Sequence, residues 1–339
     1  MNKHAKRLTR RTFLSNSAAV GIGAAFYSRA SSQAAAALEK TELRIGAAIT
    51  AAVFLPVYLA ANQTWKAEGL NASLASFRGD PELAQALVGD SVDIALVPGD
   101  TIVSMVNAKS DCIGFYAGFN AADFAWVANP SIKSWNDTKG TSVAITSYGA
   151  LTDQIARYML KKQGLAALTD VQIIAGGPPA SMFQLLKAGR AQSAILAPPF
   201  VARAKSEGFT VLGTQAEIVG PQWPKEVFVA RKKFIEENPR TLEALLRAHV
   251  SAIRLLNSDS AIATSTLVQT LKFTPEVAQA TYEEIRASYD ESGNLPQPNS
   301  MASFWNVMKE SGKVTEAWPN SAILDDRFIR TFSSWAPKR

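Results

Sequence analysis

The apolar residues of this 339-residue chain fall in short runs separated by stretches of helical spacing. Residues 43–48 predict a first strand. After a loop over 50–54, a helix opens with Pro56 in its first turn and ends before Gly69. Residues 72–77 predict a second strand, and Asp80 caps a helix that runs through Val88. Residues 92–97 predict a third strand, stopped by Pro98, and a short helix follows from Thr101. Farther on, residues 143–145 form another apolar run. Thr146, Ser147, Tyr148 and Gly149 then suit a turn, and Leu151, Ile155, Tyr158 and Met159 recur at helical spacing. Strands alternating with helices predict a parallel sheet.

One phrase occurs twice. Leu87, Gly89, Asp93, Leu96 and Pro98 stand one hundred residues before Lys187, Gly189, Ser193, Leu196 and Pro198, and each set reads helix, glycine turn, buried strand, proline. Gly69 and Leu70 likewise anticipate Gly164 and Leu165. Two copies of one βαβ plan predict two similar lobes with a cleft between them. Ligands of open parallel sheets sit beyond the carboxyl ends of the strands, where the loops at Thr50, Pro98, Ser147, Gly176 and Pro198 fall. Residues 113–119 and 124–128 read as strands carrying the chain across, and 211–228 as its return. The expected organisation is residues 38–127 plus 226–339 in lobe 1 and 128–225 in lobe 2. Helices opening at Asn238 and Pro239, at Thr274 and Pro275, and over 301–308 are expected to pack on the first lobe. The first of them carries Leu242, Leu245, His249, Ile253 and Leu256 on one stripe.

Charge changes the picture at one end only. The net charge is +6, but Lys3, Lys6, Arg7, Arg10, Arg11 and Arg29 lie in the first 37 residues with no acidic partner, leaving 29 basic against 29 acidic residues. A neutral body gives no reason to expect nucleic acid as a partner. Residues 1–37, with a basic start, an Ala/Gly-rich apolar run and an alanine tract, predict an export signal. Thr9, Arg10, Arg11, Thr12, Phe13 and Leu14 resemble the twin-arginine type, which implies a soluble periplasmic product. Cys112 is the only cysteine, so neither an intrachain disulfide nor a lipid anchor beside the signal is expected.

The loop at Ser147, Tyr148 and Gly149 precedes a helix, whose first N–H groups lack intrahelical partners. They can hold an acidic or polar group without a lysine or arginine. Thr152 adds a hydroxyl; the alternative is an ordinary turn in which Thr152 or Asp153 serves the helix itself. Asp100, before Thr101, either accepts from a ligand or caps the following helix. Phe115, Tyr116, Phe119, Phe124 and Trp126 place five of 30 aromatic residues within twelve positions, as a stacking wall or as core under the hinge. Trp223, in the returning crossover, is a further candidate for the cleft. His249 reads as a packed core histidine. One histidine and one cysteine after the signal leave metal chemistry few ligands, so neither metal nor cofactor is expected.

Taken together, several stretches resemble the substrate-binding proteins of nitrate/sulfonate/taurine-type ABC importers, which share a fold with thiamine-pyrimidine precursor proteins. They are Trp65, Lys66, Ala67, Glu68, Gly69 and Leu70; Leu87 to Ala95; Asp137, Thr138, Lys139 and Gly140; and Leu185, Lys187, Ala188 and Gly189 with Pro198, Pro199 and Phe200. The resemblance implies a two-lobed α/β fold of the type II periplasmic kind, each lobe a mainly parallel sheet flanked by helices. It implies a non-enzymatic, monomeric protein that closes on one small solute and delivers it to a membrane permease with a separate ATPase subunit. Many members carry an acidic residue ahead of the proline and aromatic pair, where this chain has Ala197 and Pro198. Residues 51–55 lack the basic groups that suit nitrate. A small organic anion with an apolar body, sulfonate- or aromatic-carboxylate-like, is therefore the expected solute. Phe54, Asp100, Thr101, Ser147, Tyr148, Gly149, Thr152, Pro199, Phe200 and Trp223 are the expected ligand-binding residues. A pyrimidine-type thiamine precursor as solute, a pyrimidine-synthase-like enzyme and a periplasmic ligand sensor are the alternatives.

Overall fold

The computed structural model describes residues 37–338. The expected signal, residues 1–37, lies outside them but for its last residue. Among the described residues, β1 (Glu42–Ala47) leads through a short helical turn to α1 (Leu55–Leu59) and, past one π turn, to α2 (Trp65–Ala67). Next come β2 (Asn71–Ser76), α3 (Asp80–Val88), β3 (Ile94–Val97), α4 (Gly99–Asn107) and β4 (Cys112–Asn120). The second half holds β5 (Ala125–Ala128), β6 (Thr141–Ile145), α5 (Leu151–Lys162), β7 (Val171–Ala175), α6 (Pro179–Lys187), β8 (Ser193–Leu196), α7 (Phe200–Ser206), β9 (Thr210–Thr214) and α8 (Gln215–Val219). The chain then forms β10 (Pro224–Arg231), α9 (Lys232–Glu237), α10 (Pro239–Ser258), α11 (Ser260–Leu271), α12 (Pro275–Ile285) and α13 (Pro298–Glu310).

Two five-stranded sheets result, in the orders β2-β1-β3-β10-β4 and β7-β6-β8-β5-β9. In the first, β10 alone runs against its neighbours, and in the second β5 does. Each lobe is thus a mainly parallel sheet with one reversed strand, flanked by helices. The repeat is real but one residue out of the expected register. Helix and strand recur at an offset of 99: α3 and β3 begin at 80 and 94, α6 and β8 at 179 and 193. The left-handed residue after each helix is accordingly Asp90 in one copy and Gly189 in the other. One extra residue, Ala197, restores the offset of 100 at the prolines. Strands buried on both faces carry no alternation to mark register, which is why the shift is invisible in the apolar pattern.

Residues 124–128, expected to carry the chain across at a boundary after 127, supply β5 inside the second sheet. Ala125 and Val127 enter one core and Trp126 and Ala128 the other, so the segment is buried from both sides. The expected continuous return over 211–228 is broken into β9, α8 and β10. Thr214 caps α8, accepting from the Glu217 N–H while the Glu217 carboxylate accepts from Thr214 N–H. The crossings therefore lie at 121–124 and 220–223.

The C-terminal helices pack on the first sheet: Leu242, Leu245 and Leu256 of α10 share a core with Leu43, Ile45 and Ile94. His249 is buried there between the rings of Tyr116 and Phe228, and burial pushes its pKa down to about 3. Phe115, Tyr116, Phe119 and Trp126 are fully buried core residues. Among the described residues, no helix is long and apolar enough to cross a membrane.

Candidate functional site

The carboxyl ends of both sheets face each other across a cavity of about 280 Å³. The loop after β1 (Ile49 to Val53) forms one wall. The turn into α6 (Pro178 to Ser181) and the Ala197, Pro198 and Phe200 stretch form the opposite one, and Leu271 and Phe273 close the side. A smaller cavity of about 50 Å³ continues inward past Phe54, Asp80, Thr146 and Thr152, and Ile49, Val53, Phe124 and Lys225 line both.

The lining is mostly apolar, and its polar centre is one ion pair. Lys225, at the start of β10, sets its ammonium against the Asp123 carboxylate and over the Phe124 ring, 4.1 Å from the centroid. Its side chain is only 8% exposed. A lysine in that position is a strong donor with an adjacent acceptor, shielded from water by aromatic rings.

Phe54, Thr152 and Phe200 stand on the cavity walls. The Thr152 hydroxyl is engaged, accepting from the Thr146 N–H at 2.9 Å and so closing the turn. Phe200 packs edge-on against Phe273 of the α11–α12 corner, 6.1 Å between centroids, an aromatic contact from one lobe to the other. Of the five clustered aromatics, Phe124 alone lines the cavity.

The remaining candidates lie off these walls. Pro199 is buried and is absent from the cavity lining. Tyr148 points outward, 56% exposed, and donates to the Ile173 carbonyl. Gly149, with Thr101, borders a separate groove along α3 and α4, and its N–H donates to Asp153. Ser147 rests against Gly79, where a Cβ would come within 2.2 Å of its hydroxyl oxygen. Trp223 is fully buried on Phe304, 4.9 Å away, because α13 covers the crossover and supplies the core that a turn alone lacks. Asp100 is wholly buried and accepts from the Gln154 side chain, with the Lys313 ammonium 3.9 Å away.

The helix terminus expected to receive a solute's acid group already has an occupant. The Leu151 N–H, first in α5, donates to the Asp80 carboxylate of the other lobe at 3.1 Å. Burial, and then the charge of Asp100, push Asp80 up to about 7, against the opposing pull of the Leu151 N–H and Lys313.

Lys225, Asp123, Asp80 and Phe273 are the residues that sequence reasoning missed. Lys225 had a signal: it stands with Glu226 at the start of a strand whose next four residues are apolar. Phe273 had a weaker one, an apolar residue directly before the Thr274 and Pro275 helix start.

Residues 36–271 match the NMT1-like family. The chain is 20% identical to YtlA of Bacillus subtilis over 305 residues, 87% of this chain and 90% of that protein. A solved protein of Bordetella bronchiseptica RB50 superposes with a TM-score of 0.75 at 22% identity, covering 88% of this chain and 98% of the other. The periplasmic aliphatic sulphonate binding protein SsuA of Escherichia coli does so with 0.65 at 19%, covering 85% and 92%.

Proposed function

The chain belongs to the NMT1-like family, and from that premise we propose that it is the periplasmic solute-binding component of an ABC importer. It captures a small organic anion by lobe closure and hands it to a membrane permease driven by a separate ATPase. The observation that carries this reading is the cavity between the strand ends of two like lobes, mostly apolar, with Lys225 and Asp123 as its only charged groups and Thr50, Ser181 and Thr270 adding hydroxyls. SsuA, named for binding aliphatic sulphonates, shares the fold. The reading assigns the protein no catalysis.

The acid group of the solute sits between Lys225 and the first turn of α6, and its apolar body against Phe54, Phe124, Phe200 and Phe273. A hydrogen bond to a charged group contributes about 1.5–3 kcal/mol, whereas micromolar affinity needs about 8 kcal/mol. Apolar burial supplies most of the rest, so nitrate or another bare anion binds poorly. The cavity is near the small end of the roughly 300–1,000 Å³ usual for ligand sites. Asp123 beside Lys225 gives donor and acceptor side by side, which favours one second reading, a pyrimidine-type thiamine precursor.

Melting the protein from residue 38 onward against alkyl and aryl sulfonates, taurine, nitrate, aromatic carboxylates and pyrimidines tests this. Ligand at a thousand times its Kd stabilises by about 4 kcal/mol, a shift of roughly 6 °C for a chain of this size. A shift with organic acids is the expected result. A shift with pyrimidines alone selects the second reading. No shift at all, with no copurified molecule found by mass spectrometry of the denatured protein, contradicts both.

A further inference from the structure

We propose that Asp80 is an intramolecular ligand: a lobe 1 carboxyl group that seats on the N-terminus of α5 in lobe 2, holds the lobes together without solute, and denies that terminus to external acids. Asp80 opens α3 of the first lobe, and its carboxylate leaves that lobe to accept from the Leu151 N–H at the first position of α5. The N-cap residue, Ala150, has no side-chain acceptor, and Asp153 of the first turn accepts from the Gly149 N–H, so the acceptor for the Leu151 N–H comes from across the cleft. The carboxylate is buried and borders the inner cavity, at the depth a solute's acid group would reach.

Two neighbouring contacts fix the approach. Gly79, immediately before Asp80, has φ +156° and no side chain, which lets the Ser147 hydroxyl of lobe 2 come within 2.2 Å of where a Cβ would stand. One helical turn along α5, the Gln154 side chain donates to the wholly buried Asp100 of lobe 1. The start of α5 is therefore held by two carboxylates from the opposite lobe. A solute's acid is left with Lys225. This last consequence rests on the function proposed above; the latch does not.

Small-angle scattering of the solute-free protein, from residue 38 onward at pH 6, tests the latch without reference to any solute. The wild type is expected near the compact radius of gyration, about 19 Å for a chain of this length. Asp80→Ala is expected to open it by roughly 1 Å, while Asp80→Asn, which keeps an acceptor oxygen, stays compact. Gly79→Ala leaves Asp80 in place and wedges the same contact apart, so it reads the latch even if Asp80→Ala does not fold. Unchanged radii in folded Asp80→Ala and Gly79→Ala overturn the proposal.

Discussion

At the scale of single residues, three carboxyl groups, Asp80, Asp100 and Asp123, and two lysines, Lys225 and Lys313, set the electrostatics of the cleft. Asp80 is pushed up to about 7 while the lobes are together, by burial first and the Asp100 charge second. Apart, its carboxyl regains water and returns toward the ordinary 3.8. The closed form thus holds the proton more tightly than the open form. Its proton-linked contribution to closure is complete below about 4 and is lost as the pH rises through about 7. Asp100 and Lys313 are the charged groups acting on Asp80, and Asp123 and Lys225 share the adjoining cavity. The radius of gyration of the solute-free wild type is expected to grow between pH 6 and 8. In Asp80→Asn, with nothing to titrate, this growth is expected to vanish; equal growth in both proteins would assign the response to another group.

At the scale of elements, what was legible depended on what the local pattern encodes. Most strands and helices of the first lobe were readable from apolar spacing, and the repeat from glycine and proline punctuation, whereas β7, α7, α9 and α11 were not read and the expected return over 211–228 proved to be β9, α8 and β10. The 99-residue offset was not readable, because β3 and β8 are buried on both faces and a one-residue slip leaves an apolar run apolar. Phe54, Thr152 and Phe200 reach the cleft because they follow strand ends, a property of topology that sequence supplies. Lys225, Asp123 and Asp80 reach it through partners 102 and 71 residues away, which no local pattern specifies. Trp223 shows the converse: a turn that looks exposed in sequence lies under α13 in space. The α11–α12 corner behaves in the same way, since Phe273 closes the cavity only through Phe200 of the other lobe. Such an aromatic pair contributes about 0.5–1.5 kcal/mol beyond its area. Phe273→Ala is expected to weaken binding of the best solute roughly tenfold while leaving the far-ultraviolet circular dichroism unchanged; undiminished affinity would remove the corner from the site.

At the scale of the molecule, two like sheets, joined by crossings at 121–124 and 220–223, present their strand ends to one cavity that neither could form alone. The lobes share a core through Trp223 and Phe304 on one side and meet through Phe200 and Phe273 on the other, so the closure proposed above has its pivot at the crossings. We extend the proposal to export: residues 9–14 resemble a twin-arginine signal. Lysine at both Arg10 and Arg11 is expected to leave the protein in the cytoplasmic fraction, and normal periplasmic yield from that variant would exclude the twin-arginine route.

The central claim is that the cavity between the lobes binds the solute, with Lys225 for its acid group and Phe200 for its body. Calorimetric titration of the acid that gives the largest melting shift, into wild type, Lys225→Met and Phe200→Ala, tests it most directly. One site per chain is expected in the wild type, with an affinity roughly 10- to 100-fold weaker in each variant, equal to the loss of about 1.5–3 kcal/mol. Wild-type affinity in both folded variants would contradict it and place the solute elsewhere on the molecule.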